Sequence, residues 1–70
     1  MNKVAKILVL SFVGEIPETA AEIHKQIQKE CEPSAVLEDV RRSLLELADD
    51  NFIMSSEKPD GTDLTNIYWR

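Results

Sequence analysis

The stretch PSAVLEDVRRSLLELADDNFI, Pro33 to Ile53, decides how this chain is read. Val36, Val40, Leu44 and Leu47 recur at helical spacing with Leu37 alongside, which predicts an amphipathic helix with one apolar stripe. Pro33 disfavours helical geometry at Glu32, and Ser34 is expected to cap the helix that follows. Asn51 is expected to end it, because Asn is second only to Gly in the left-handed position after a helix. The outward residues raise the functional question. Glu38, Asp39, Glu46, Asp49 and Asp50 face only Arg41 and Arg42.

Upstream, Lys29-Glu-Cys-Glu-Pro-Ser34 breaks the pattern. Before it, Thr19-Ala-Ala-Glu22 has the form of a capping box, in which the Thr hydroxyl and the Glu carboxylate each accept from the other's backbone amide. Ile16, Ala20, Ile23 and Ile27 lie at helical spacing, so a short amphipathic helix is expected from about Thr19 to Glu30. Val4–Val13 is apolar nearly all round, which suits a buried strand or a helix with two apolar faces. Its length and the spacing of Lys3, Lys6 and Ser11 favour the helix. Val4, Leu8 and Phe12 make one face, and Ile7, Leu10 and Val13 spread beyond it. So wide a face implies either a homodimer through this first helix or a deeply buried central helix.

Downstream come FIMSSEK, then PDGTD, then LTNIYWR. Pro59-Asp60-Gly61 is a turn signal: Pro sets φ, Asp can bond the backbone, and Gly tolerates positive φ. The β-branched and aromatic flanks predict a closing β-hairpin. Tyr68 and Trp69 must alternate faces, and Trp69 shares parity with Ile67. Ile67 and Trp69 are therefore expected in the core and Tyr68 on the surface.

Three helices followed by a hairpin resemble the winged helix-turn-helix family over essentially the whole chain. AKILVLSFVGEIP is similar to the family's first helix, and TAAEIHKQI to its second. Val40, Leu44, Leu47, Asn51, Phe52 and Ile53 match its V-x3-L-x2-L-x3-G-L-[VI] framework, with Asn51 where glycine is usual. The expected fold is α+β, a single winged-helix domain over residues 1–70 with a C-terminal β-hairpin wing. In this framework Phe52 and Ile53 begin the wing over the core.

The resemblance implies a third helix that enters the major groove and a wing that touches phosphate. With Val40 inward, Ala35, Glu38, Arg42, Leu45 and Asp49 fall on the opposite side. The candidate nucleic-acid contacts are Ser34, Ala35, Glu38, Arg41, Arg42 and, on the wing, Lys58. Either arginine could reach a guanine edge or a phosphate while Glu38 accepts from a cytosine amine. Against this, Glu38 and Glu46 bracket Arg42 at helical ion-pair spacing, so both arginines could belong to a solvated salt-bridged face. Lys58 is also outnumbered by Glu57, Asp60 and Asp63. Two functions are therefore carried forward. One is a small DNA-binding transcriptional regulator acting on double-stranded DNA; the other is an acidic protein–protein interaction module.

Composition narrows the remaining classes. The chain has 70 residues and a net charge of −5, divided as +1 over residues 1–29 and −6 over 30–70. Its longest apolar run, Ile7–Val13, falls far short of the roughly 20 residues that span a bilayer. It is expected to be a core helix rather than a signal peptide, since no small-residue cleavage site follows. One cysteine, Cys31, fits a reducing, cytoplasmic compartment and is expected to be half-buried in a turn. With one cysteine and one histidine, His24, neither a metal site, a cofactor nor catalysis is expected, and His24 reads as a rim residue. Arg70 with Lys3 and Lys6 is expected to form a small basic region away from the third helix.

Overall fold

The computed structural model describes residues 6–56 and 66–70. Its elements are α1 (Lys6–Phe12), β1 (Glu18–Thr19), α2 (Ala20–Glu30), α3 (Leu37–Asp49), β2 (Met54–Ser56) and β3 (Ile67–Trp69). This is an α+β winged-helix arrangement, three helices closed by an antiparallel hairpin. The short strand β1 joins the hairpin, so the sheet runs β1-β3-β2. Two residues are too few for any periodicity to announce, and β1 has no counterpart among the elements expected from sequence. Val4 and Lys3 lie outside the described residues, as do Lys58 and the Pro59-Asp60-Gly61 turn.

The helix boundaries follow local chemistry. At the start of α2, the Glu22 amide donates to the Thr19 hydroxyl (3.3 Å) and the Thr19 amide to the Glu22 carboxylate (2.8 Å), completing the capping box. At the end of α3, the Phe52 amide donates to the Leu47 carbonyl (2.9 Å) and the Asn51 amide to that of Ala48 (3.1 Å). Asn51 has φ 65°, the left-handed residue that such a Schellman ending requires.

The start of α3 differs from expectation. Val36 is the N-cap, at φ −101° and ψ 133°, a residue whose own side chain makes no capping hydrogen bond. The Ser34 hydroxyl instead donates to Glu32 (2.7 Å) within the preceding turn. That turn, in which the Ala35 amide donates to the Glu32 carbonyl (3.0 Å), uses up the residues after Pro33 and delays the helix. Val36 thus leaves the apolar stripe and is 50% exposed, while Ala35 enters the core.

The core joins Val9 of α1, Val13 just past it, Ala20, Ile23 and Ile27 of α2, Val40, Leu44 and Leu47 of α3, and Ala35, Ile53 and Tyr68. Burying a Val, Leu or Ile side chain fully stabilises by about 1.5–3 kcal/mol, so these few residues hold the domain. The buried residues here are Val9 of α1 and Val13 just past its end, one helical turn apart, while Leu8 and Phe12, which share the apolar face read from sequence, pack half-buried against the core. α1 packs on both α2 and α3, and the slimmer valines occupy that junction. Ile7 is left 78% exposed. Ile16 (76% exposed) and Phe52 (63%) also stay outside the core they were expected to join, and Cys31 is exposed rather than half-buried.

The wing corrects another expectation. Tyr68 is completely buried, whereas Ile67 and Trp69 are half-buried on the other side of the sheet. The residues alternate faces as expected, with Tyr68 rather than Ile67 and Trp69 facing the core. Ser55 pairs with Tyr68, and cross-strand partners share a face. Ser55 also shares parity with Ile53, which the turn at Asn51 directs inward, so Tyr68 follows Ile53 into the core.

Arg70 ties the end of β3 back to the first helix. Its Nε donates to the Val13 carbonyl (2.8 Å), its Nη2 to that of Leu10 (2.7 Å), and its amide to that of Gly14 (2.9 Å). Of the expected basic region, Lys3 lies outside the described residues, and Arg70 and Lys6 are each engaged elsewhere. Arg70 occupies the carbonyls at the C-terminal end of α1, and Lys6 reaches across to Glu46 of α3 (3.0 Å). Among the described residues no helix is long and apolar enough to cross a membrane.

Candidate nucleic-acid interface

The candidate residues from sequence lie in the turn before α3 and in the first half of α3, with Lys58 of the wing outside the described residues. α3 is set in place by Val40, Leu44 and Leu47, all buried. The turn is held by α2: His24 Nε2 donates to the Ala35 carbonyl (2.8 Å), and Gln28 Nε2 donates to the same oxygen (3.3 Å). His24 is therefore a half-buried clasp between α2 and the turn rather than a rim residue. A lone histidine amid polar neighbours gives no sequence signal for such a role, because its partner is a backbone carbonyl eleven residues away.

Ser34 is exposed beside the turn. Ala35 is 4% exposed and cannot touch a partner, so it leaves the set of candidate contacts. Its part is positional: it anchors the turn beneath the start of α3. Glu38, Arg41 and Arg42 come together on the surface. Arg41 donates from Nε (3.2 Å) and Nη2 (2.5 Å) to the two Glu38 carboxylate oxygens, a two-pronged contact. Arg42 Nη2 stands 3.9 Å from the same carboxylate. The Arg41 side chain is 21% exposed and that of Arg42 58%. The Arg41 hydrogen bond, with the charges of Arg41 and Arg42, holds the Glu38 carboxyl below its ordinary value against the opposing effect of desolvation.

Glu46 does not bracket Arg42 as its spacing suggested. It takes Lys6, whose amine is raised above its ordinary value by the Glu46 hydrogen bond, the Glu46 charge and the nearby charge of Asp50. α3 is thus divided electrically. Its first half carries Glu38, Asp39, Arg41 and Arg42 and is neutral; its far end carries Glu46, Asp49 and Asp50, with Lys6 offsetting one of them. At 1.5 Å per residue, Asp49 is roughly 10 Å along the axis from Arg42. That is about one Debye length at physiological salt, so Asp49 and Asp50 act only weakly on the first half of α3.

Elsewhere, Glu18, Glu22, Lys25, Gln26 and Lys29 line an open hollow of about 380 Å³ along α2, with charges of both signs. No group of three His, Cys, Asp or Glu among the described residues is arranged to hold a metal ion.

A scan against family models finds no match for the chain, and comparisons with curated proteins and with solved structures find none either.

Proposed function

We propose that this chain is a small, non-enzymatic winged helix-turn-helix protein of the cytoplasm that binds double-stranded DNA as a transcriptional regulator. Ser34, Glu38, Arg41 and Arg42 are its contacts from the turn and α3, with Lys58 the candidate on the wing. The supporting observation is the charge partition along α3, which leaves the reading half neutral and Arg42 largely exposed. The loose pair of Arg42 with Glu38, at 3.9 Å and with the Arg42 side chain 58% exposed, is readily exchanged for a phosphate or a base edge, because water and salt already weaken it. The wide face of α1, with Ile7 outward, is proposed to support a homodimer.

Such a reader has few cations to spend, which sets the test. Each phosphate neutralised contributes about −0.9 to the slope of log affinity against log salt. Arg41, Arg42 and Lys58 together therefore give a slope of about −3 per protomer, measured by anisotropy with a labelled random duplex. Arg42→Gln is expected to reduce the slope by about 1. If no binding occurs at low salt, or if Arg41→Gln and Arg42→Gln leave it unchanged, the DNA reading fails.

A second reading, an acidic protein-docking module, draws support from the two-pronged hold of Glu38 on Arg41. It takes the place of the first if the duplex does not bind. Sedimentation of the wild type and of Ile7→Lys tests the dimer, and a wild type that stays monomeric at high concentration removes it.

A further inference from the structure

The far end of α3 and the outward side of the wing hold features that the DNA reading does not use. Ile53 is buried, and its neighbours Phe52 and Met54 are 63% and 57% exposed. Met54 pairs with Trp69, so the two side chains share the face of the sheet opposite Tyr68, with half-buried Ile67 next along β3. Met54 and Trp69 thus share an apolar face, and Phe52, two residues before Met54, is exposed at its approach.

The charges that immediately precede Phe52 in the chain are acidic, while Arg70, next to Trp69, is held on the Val13 and Leu10 carbonyls. Asp49 ends α3 and Asp50 is its C-cap, both exposed, with Glu46 one turn earlier and no basic residue in the last turn. The partial negative charge of a helix C-terminus adds to these carboxylates. Lys6 answers Glu46, while neither Asp49 nor Asp50 makes an ion pair among the described residues. Carboxylates at this end of a helix oppose its dipole and so weaken the isolated fold, and only Asn51 separates them from exposed Phe52.

We propose that this surface docks a cationic amphipathic segment of a partner protein. An apolar anchor of that segment rests on Phe52, Met54 and Trp69, and its flanking lysines or arginines lie over Asp49, Asp50 and the end of α3. Charge complementarity selects the occupant: acidic or neutral segments find the same apolar residues without the matching rim. A cation can also rest against the ring of Phe52. The surface lies at the opposite end of α3 from Ser34–Arg42, so one protein could hold its partner and its other target together.

The test uses two synthetic amphipathic helices, one of leucine and lysine and one of leucine and glutamate, titrated into the whole chain. Trp69 fluorescence and amide chemical-shift mapping are the readouts. The leucine–lysine peptide is expected to shift Asp49–Met54 and Trp69 and to alter the tryptophan emission. The double variant Phe52→Ser/Met54→Ser, at two exposed positions, is expected to bind it at least roughly tenfold more weakly, the scale of losing a central anchor. Asp49→Asn/Asp50→Asn is expected to lose several-fold and to flatten the salt dependence.

The proposal is overturned if no binding occurs or if the leucine–glutamate peptide binds as well. Shifts spread over the whole acidic surface overturn it too, as does unchanged affinity in both double variants. A random duplex reports on Ser34–Arg42 instead, so failure here and failure of the DNA reading are read from different residues.

Discussion

Replacing Arg70 by alanine tests how this small fold is closed. The guanidinium donates to the Val13 carbonyl at 2.8 Å in a half-buried setting and to the Leu10 carbonyl at 2.7 Å in an exposed one. Hydrogen bonds to a charged group contribute about 1.5–3 kcal/mol when shielded and less in water. Taking the lower end for the first and about 0.5 kcal/mol for the second gives a loss of about 2 kcal/mol. For a chain of this size that corresponds to a fall of about 8–16 °C in Tm. Equivalently, the urea midpoint drops by about 2 M if the m-value is about 1 kcal/mol/M. Arg70→Lys keeps the cation near the negative end of α1 but lacks the fork, so it is expected to recover roughly half. Urea unfolding followed by circular dichroism measures all three proteins, and amide exchange locates the loosening in α1. A shift below about 0.5 kcal/mol for Arg70→Ala would refute the clamp, because the general scale of a charged hydrogen bond would then not be reached. If Arg70→Lys matches the wild type, charge alone matters and the two-carbonyl geometry does not.

Other outcomes follow from the corrected wing and from the helix ends. Tyr68→Ala is expected to cost about 3–5 kcal/mol and to leave the chain largely unfolded, while Trp69→Ala costs about 1–2 kcal/mol; thermal melts with the reverse ranking would restore the opposite strand facing. Asn51→Gly is expected to stabilise by about 0.5 kcal/mol and Asn51→Val to destabilise by about 1–2 kcal/mol in urea unfolding, since only the left-handed backbone separates them. Because the folded Glu38 carboxyl lies below its ordinary value of 4.5, its contribution is present above pH 4.5 and is lost as pH falls through the folded value. Carboxyl NMR should find Glu38 titrating below 4.5 and moving up in Arg41→Gln; an unmoved midpoint would show that the two-pronged contact does not persist in solution.

Much of the fold was legible because it rests on short-range rules. Thr19 and Glu22 lie three residues apart, and their reciprocal bonds need nothing beyond one helical turn. Val40, Leu44 and Leu47 share a stripe whatever packs on it, and Asn51 takes the left-handed backbone required just past such a helix. Of the candidate site, Glu38, Arg41 and Arg42 were legible as neighbours for the same reason. Ala35 was not, because its position depends on whether the helix begins at Ser34 or two residues later. That choice is made by the turn after Pro33 and by His24 and Gln28 reaching from α2.

By itself, the sequence determined three helices, a closing hairpin, the capping box that starts α2, the left-handed ending of α3 at Asn51, and the excess of acid in the second half of the chain. Tertiary structure decided which way each element turns. Periodicity specifies which residues share a face but not which face meets the core, so Val9 rather than Leu8 and Tyr68 rather than Trp69 point inward. It also decided which charges meet. Lys6 draws Glu46 away from Arg42 across more than half the chain, and Arg70 is spent on the carbonyls of α1. The physical reason is common to both: helical and strand patterns are set by neighbours a few residues apart, whereas facing and pairing are set by packing between elements distant in the chain.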